Sequence, residues 1–580
     1  MKEILFLDPQ AEYNEEEEER KYYRRKRLGV VKNVLAASVG AMIVYSVYMG
    51  LLQMQLILHY DTTYREVKYS NLGLEDIDRK MLMGINVTPI VGLLYTPVLI
   101  RFLGTKWMMF LASGIYALFV STNYWERYYT LVPSAVAIGA TIVPFWTSLG
   151  NYITRMAQQY YEYVNYKQEH VQDQKKLPKG ACHSYIIVFQ SVFYIIFNLS
   201  FVFAEFPMSL FLNNDLQGKA HILDRVEKCG ADVHGLIPGF NTTVLTKLPQ
   251  SMLLIYVESV LMAFAFLSMI IFLVLCGPAY RPTEEIDLRS IGWGNIFQLP
   301  FKHLRDYRLR LLCPFFIYSG FEAMFAITGF SLSYGVCVLG LKRLWLLITV
   351  YGLSASVFSS LPLLLLRLPR WTCLAAGAVV HFVLLVALFA FSPKPKHEEF
   401  LHPLLAVAAL WGLGSALNRT GVSILLGVLY AEEKERLDFV YTIYNWWQAI
   451  AIFIVYLCAH LPMRAKLSIL LVTLLLACYC YWLMERRLAA KVKGYRYLEE
   501  DNSDESDSEK SEDEEGEEED EERDGGEERQ EEQEQEEVWG AESPGARRRG
   551  GEGQRRRRRQ QEAEEEEEEE EEEGGEREEW

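Results

Sequence analysis

Three ionisable residues sit in the middle of long apolar runs and are the first candidates for chemistry. Glu322 lies in Ser319-Gly-Phe-Glu-Ala-Met-Phe, His381 in Val379-Val-His-Phe-Val, and Arg419 follows Asn418 in a third run. Each would cost several kcal/mol in hydrocarbon unless partnered, so each is a candidate functional group. One reading makes them a proton or ion relay. The other makes them satisfied polar contacts between packed helices. The paired-carboxylate ladder of a pump is missing, which favours contacts. Glu205 and Glu258 fall near the ends of their runs, where a structural role is expected. A hydrolase would need a nucleophile–base or metal constellation. The sequence holds no P-loop, no GxSxG and no HExxH. No enzyme activity, metal or cofactor is expected.

The nine cysteines form no CxxC and no Cys/His cluster. Neither a zinc site nor a disulfide framework is indicated. Most sit in apolar runs and read as small buried hydrophobes. Cys229 differs, because it falls in a polar loop.

A second kind of chemistry lies near the C-terminus. Tyr495-Arg-Tyr-Leu498 has the pattern of a sorting signal, a tyrosine, then two residues, then a bulky apolar side chain. Such a peptide can add to the edge of an adaptor's sheet while two side chains fill pockets. Just beyond it, Ser503, Ser506 and Ser508 are each followed by acidic residues and suit acidophilic kinases. Phosphates there would switch a partner by adding negative charge.

The elements that must position these groups are long and apolar. Half of the 580 residues are hydrophobic, and they come in runs. About twenty residues are needed to cross a hydrocarbon core of roughly 30 Å as a helix. Twelve runs qualify, at about 30–58, 81–103, 107–123, 130–155, 184–212, 252–276, 311–334, 344–366, 371–392, 401–429, 438–460 and 466–485. The first is too late and too long for a signal peptide and reads as an uncleaved anchor. The expected class is an all-α membrane protein. Residues 1–29 form a cytosolic N-terminal arm, 30–276 one six-helix half, 277–310 a cytosolic central loop, 311–486 a second six-helix half, and 487–580 a cytosolic tail. Two six-helix halves around a central cavity suggest a transporter-type fold.

Charge sets the orientation. Arg20, Lys21 and Arg24 to Arg27 precede the first run and should stay cytosolic. An even number of spans then puts the C-terminus in the cytosol as well. Of four Asn-x-Ser/Thr sequons before the tail, Asn86, Asn198 and Asn418 lie within spans, where no glycan fits. Asn241 lies in a loop that this topology makes luminal, so it is the expected glycosylation site. The net charge of -18 comes mostly from the tail, which is rich in Glu, Gly and Arg. With so little to bury, the tail is expected to be disordered. Its arginine tracts lie among excess carboxylates, so no direct nucleic-acid binding is expected.

Several long strings resemble one family. Asn14-Glu-Glu-Glu-Glu-Glu-Arg-Lys-Tyr-Tyr-Arg-Arg-Lys-Arg-Leu-Gly, Lys106-Trp-Met-Met-Phe-Leu, Ser121-Thr-Asn-Tyr-Trp-Glu-Arg-Tyr-Tyr-Thr, Tyr280-Arg-Pro-Thr-Glu-Glu-Ile-Asp-Leu-Arg, Gly292-Trp-Gly-Asn-Ile-Phe-Gln-Leu-Pro-Phe-Lys-His and Gly494-Tyr-Arg-Tyr-Leu-Glu-Glu-Asp-Asn-Ser are similar to the Unc-93 family of the major facilitator superfamily. The resemblance runs from about residue 13 to 508. It implies a major-facilitator-type fold of 12 transmembrane helices. It also implies a protein of the endoplasmic reticulum that escorts nucleic-acid-sensing Toll-like receptors to endosomes and lysosomes. The implied partners are the receptors' transmembrane and juxtamembrane regions, clathrin adaptor complexes at the tail, and the lipid bilayer. Tyr495 and Leu498 match the family's adaptor signal, Ser503 and Ser506 its phosphorylated tail, Asn241 a luminal glycosylation position, and His381 a histidine that matters for receptor binding. The superfamily signature is degenerate: Arg101-Phe-Leu-Gly-Thr-Lys106 has no Asp before it, which fits a scaffold better than a carrier. The alternatives are a solute or ion transporter using Glu322 and His381, and an ion-channel regulatory subunit.

Overall fold

Every apolar run becomes a helix in the computed structural model. It describes residues 15–59, 83–122, 128–165, 182–215, 228–233, 252–279, 293–340, 343–395, 397–433, 436–458 and 461–490. In chain order the helices are α1 (Glu15–His59), α2 (Met83–Leu103), α3 (Thr105–Thr122) and α4 (Tyr128–Val164). Next come α5 (His183–Pro207), α6 (Met252–Ile270) and a short α7 (Trp293–Leu304). The chain continues through α8 (Tyr307–Leu339), α9 (Leu344–Leu366), α10 (Trp371–Ala390), α11 (Leu401–Leu429), α12 (Leu437–Leu457) and α13 (Met463–Ala490). Among the described residues 11 helices are long and apolar enough to cross a membrane. The twelfth expected span is α3, an 18-residue helix whose apolarity is diluted by Lys106 and its serines and threonines. The chain is an all-helical, multi-span membrane protein.

Local chemistry explains the departures from straight helix. α5 breaks at Leu199, where Asn198 turns its amide to Ser359 on α9 at 2.9 Å. Prolines at 97, 133, 144 and 314 lie inside α2, α4 and α8, where neighbouring helices can satisfy the freed carbonyls. α8 converts to a π-helix over Phe325–Val336, just after Glu322; such wide turns re-aim side chains at functional sites. α1 does not begin at the membrane. It starts at Glu15, with Lys21 bridging to Glu17 at 3.0 Å and Glu18 at 3.3 Å, pairs of the kind that stabilise an exposed helix. The central connection is also partly helical, since α7 carries an apolar face through it.

α1, α3, α4 and α6 pack against one another, as do α9, α10 and α11. α5 meets α9 and α11, while α2 and α4 meet α12, so these pairs join the first six spans to the last six. At the far end from where α1 starts, residues 228–233 cross between them. The Val233 carbonyl accepts from the Met463 N–H at 2.9 Å, and Asp232 pairs with Arg464 at 2.6 Å. Gly230 adopts φ 72°, and a Cβ there would press on the Phe391 carbonyl at 2.7 Å, so only glycine fits.

Cys229 forms a disulfide with Cys337 at the end of α8, Cα–Cα 5.7 Å. The sequence indicated no disulfide framework but set Cys229 apart from the other cysteines, and the structure gives it a partner. The two cysteines are 108 residues apart, and Cys337 ends an apolar run, so spacing alone gave no hint of the pair.

Candidate functional site

The three intramembrane candidates converge on one buried cluster. Glu322 on α8 is fully buried, and its Oε1 accepts from Nε of Arg419 on α11 at 3.2 Å. Its other oxygen accepts from the Ser415 hydroxyl. His381 on α10 is also fully buried; its Nδ1 faces the Tyr318 hydroxyl at 2.7 Å and the Asn418 amide at 3.1 Å. Both neighbours can donate, so Nδ1 accepts and Nε2–H donates to the Trp411 carbonyl at 3.3 Å. The ring is then the neutral tautomer, stacked on Trp411 with centroids 4.6 Å apart.

Helical spacing assembles this set. Tyr318 and Glu322 are four apart on α8, and Trp411, Ser415, Asn418 and Arg419 recur at four, three and one on α11. Residues three or four apart share a face. That register was the signal available in the sequence for Tyr318, Trp411, Ser415 and Asn418. α10 and α11 approach closely because position 414 is glycine; a Cβ there would collide with the His381 ring.

A second charged cluster was missed by sequence reasoning. Asp438 at the start of α12 lies 3.4 Å from Arg155 on α4 and 3.5 Å from Arg101 on α2. Asn151 donates to the same carboxylate and accepts from Arg155 Nε at 2.9 Å. Arg101 also lies over the Phe439 ring at 4.9 Å. No Asp precedes Arg101 in its own segment, and a carboxylate reaches it in space from another helix. The cluster ties α2 and α4 to α12 at the end where α1 starts.

A third set closes the same end. Asp306 caps α8 by accepting from Arg308 N at 3.0 Å, and it also receives the Arg308 guanidinium at 3.0 Å and the Tyr430 hydroxyl at 2.8 Å. Burial opposes its ionisation, but these hydrogen bonds and the guanidinium charge prevail and hold its carboxyl below the usual range. Nearby, His303 packs on Phe439 with ring centroids 4.2 Å apart. Burial first, then Arg436, Arg101 and Lys302, pushes its pKa down to about 4 despite Asp306.

Beyond these ionic contacts lies a cavity of about 150 Å³ between the first and last six spans. Tyr45, Trp146 and Phe197 form one wall, with centroids 5.0 to 5.6 Å apart. Arg419, Tyr444 and Gln448 line the other. Glu205 and Glu258 are buried, away from this lining. Among the described residues no group of three His, Cys, Asp or Glu could hold a metal ion. Tyr495, Leu498, Ser503, Ser506, Ser508 and Asn241 lie outside the described residues.

Residues 240–482 match the family model described as "Ion channel regulatory protein UNC-93". The chain is 64% identical over 509 residues to protein unc-93 homolog B1 of Mus musculus, covering 85% of each chain. Identity to the Homo sapiens protein of that name is also 64% over 509 residues, again 85% of each. A crystal structure of the major facilitator transporter FucP in the outward conformation superposes with TM-score 0.45 and 15% identity, over 77% of this chain and 99% of that one.

Proposed function

The chain belongs to the Unc-93 family, and from that premise we propose that it is a trafficking chaperone for nucleic-acid-sensing Toll-like receptors. In this reading it binds receptors in the endoplasmic reticulum and delivers them to endosomes and lysosomes. A receptor's single transmembrane helix packs laterally on the bundle, where small residues and polar contacts drive association in lipid. Tyr495 and Leu498 engage a clathrin adaptor, and phosphorylation of Ser503, Ser506 and Ser508 modulates that tail. Asn241 carries a glycan on the luminal side. The receptor, and not the escort, reads nucleic acid.

The observation that carries this reading is the commitment of the charged groups. Glu322, Arg419 and His381 are satisfied by one another and by neighbours on α8, α10 and α11. A coupling carboxylate in a carrier would need to load and release a proton, whereas this one already holds a guanidinium and a hydroxyl. The decisive experiment is to purify the full-length protein from cells, with Tyr495 intact or changed to alanine, and identify what is captured. Receptor bound by both forms, but delivered to endolysosomes only by the first, is expected. Absence of receptor from the capture, together with solute uptake by reconstituted vesicles, would sink the proposal.

The cavity favours a second reading, a solute or ion transporter. Its aromatic wall and Arg419 suit an organic anion, and uptake by vesicles is the measurement that separates the two.

A further inference from the structure

One face of α1 changes character along its length. Arg20, Lys21, Arg24 and Arg25 are exposed, and beyond them Leu28, Val31, Lys32 and Leu35 are exposed in turn. At 3.6 residues per turn these eight positions fall on one side of the helix. Cations lie on one side of residue 27 and mostly aliphatic side chains on the other. That is the profile of a helix passing from headgroups into hydrocarbon. Lys32 lies a turn inside that level, and its long stem can carry the ammonium back to it.

α3 supplies a second wall. Lys106 lies over the Trp107 ring at 5.9 Å, and Trp107 is half exposed. Phe102, at the end of α2, is 76% exposed. The segment just past α6 fills the gap between α1 and α3: residues 271–275 contact both helices, and the Gly277 N–H donates to Asn33 Oδ1 on α1 at 3.0 Å. Lys32 and Lys106 thus stand on the two helices that flank this segment. Among the described residues neither has a carboxylate partner.

We propose that this face, formed by Arg24, Arg25, Leu28 and Lys32 of α1 with Lys106 and Trp107 of α3, binds an anionic phospholipid. Its phosphate lies between the two lysines over the segment just past α6, and its acyl chains run along Leu28, Val31 and Leu35. The pairing of cations with an outward aliphatic stripe selects an amphipathic occupant. The chain's own acidic tail has the charge, but almost no aliphatic residues to cover that stripe.

The test uses full-length protein in nanodiscs of phosphatidylcholine, with or without a minority of phosphatidylinositol bisphosphate. Retained lipids are counted by native mass spectrometry. Wild-type protein should enrich the anionic lipid, and Lys32→Gln/Lys106→Gln should lower that enrichment roughly thirtyfold, as two juxtamembrane cations imply. Lys228→Gln/Lys394→Gln removes the same charge at the opposite end and should lose nothing. Equal melting temperatures of the variants in detergent establish that each is folded. Unchanged enrichment in the Lys32/Lys106 variant, or equal loss in the control, overturns the proposal. Full competition by soluble inositol phosphate would assign the site to phosphate alone and also overturn it. If lipid is retained only after deletion of residues 501–580, the tail is the occupant instead.

Discussion

Glu322 and Arg419 reach across from α8 and α11 to form an ion pair of 3.2 Å in which the carboxylate has no solvent exposure. Ser415 satisfies the remaining oxygen. Removing one partner of a buried pair strands a charge in low dielectric, at a cost of about 3–5 kcal/mol. Glu322→Gln should therefore lower the melting temperature sharply in detergent. Combining it with Arg419→Met should recover most of the loss, because the stranded cation is then gone. A double variant as unstable as the sum of the singles would show that the two residues do not act as a pair.

Asp438 neutralises two arginines, so Asp438→Asn should be worse than the loss of either arginine alone. It leaves Arg101 and Arg155 facing each other across the contact between α12 and the helices α2 and α4. The end of the bundle where α1 starts should open. A cysteine placed at Thr147, buried near Tyr441, should react with a membrane-impermeant thiol reagent faster in the variant than in the parent. Equal labelling rates would remove the closing role from this cluster.

The depressed pKa of His303 makes a pH prediction. Folding holds the ring neutral down to about 4, whereas the unfolded chain protonates it near its ordinary value of 6.5. The unfolded state therefore binds more protons in that interval, and stability falls as pH falls from about 6.5 toward 4. His303→Gln removes this term. Wild type and variant should differ least at neutral pH and diverge on acidification, with the variant losing less. Parallel melting curves from neutral pH to 4.5 would contradict this.

The disulfide should be visible as redox-dependent stability. Cys229→Ser, Cys337→Ser and the double variant should melt at the same lowered temperature, and strong reductant should bring wild type to that level. A closed loop of this length is worth at most about 4–5 kcal/mol by chain entropy. Insensitivity of the wild-type melting temperature to reductant would argue that the bond adds nothing.

The sequence revealed the spans because apolar run length is a property of the chain alone. α11 shows this best: its ends, Leu401 and Leu429, coincide with the expected 401–429. Glu322, His381 and Arg419 were legible as costly residues in hydrocarbon. Their meeting in one cluster required knowing which faces of α8, α10 and α11 meet. Asp438 was illegible for a related reason. It reads as the polar edge of a span, and its significance comes from Arg101 and Arg155, each more than 280 residues away in chain order. α1 and α7 extended past expectation because hydropathy measures entry into lipid, while helix continues on salt bridges and amphipathic packing outside it.

The bond between Cys229 and Cys337 closes a covalent ring that contains α6, α7 and nearly all of α8. The central connection at 277–310 is thus one of two routes by which the polypeptide joins the first six spans to the last six. A cut anywhere in that connection would leave a single molecule, separable into two fragments only after reduction. Severing it would change the order of the chain without freeing one half from the other.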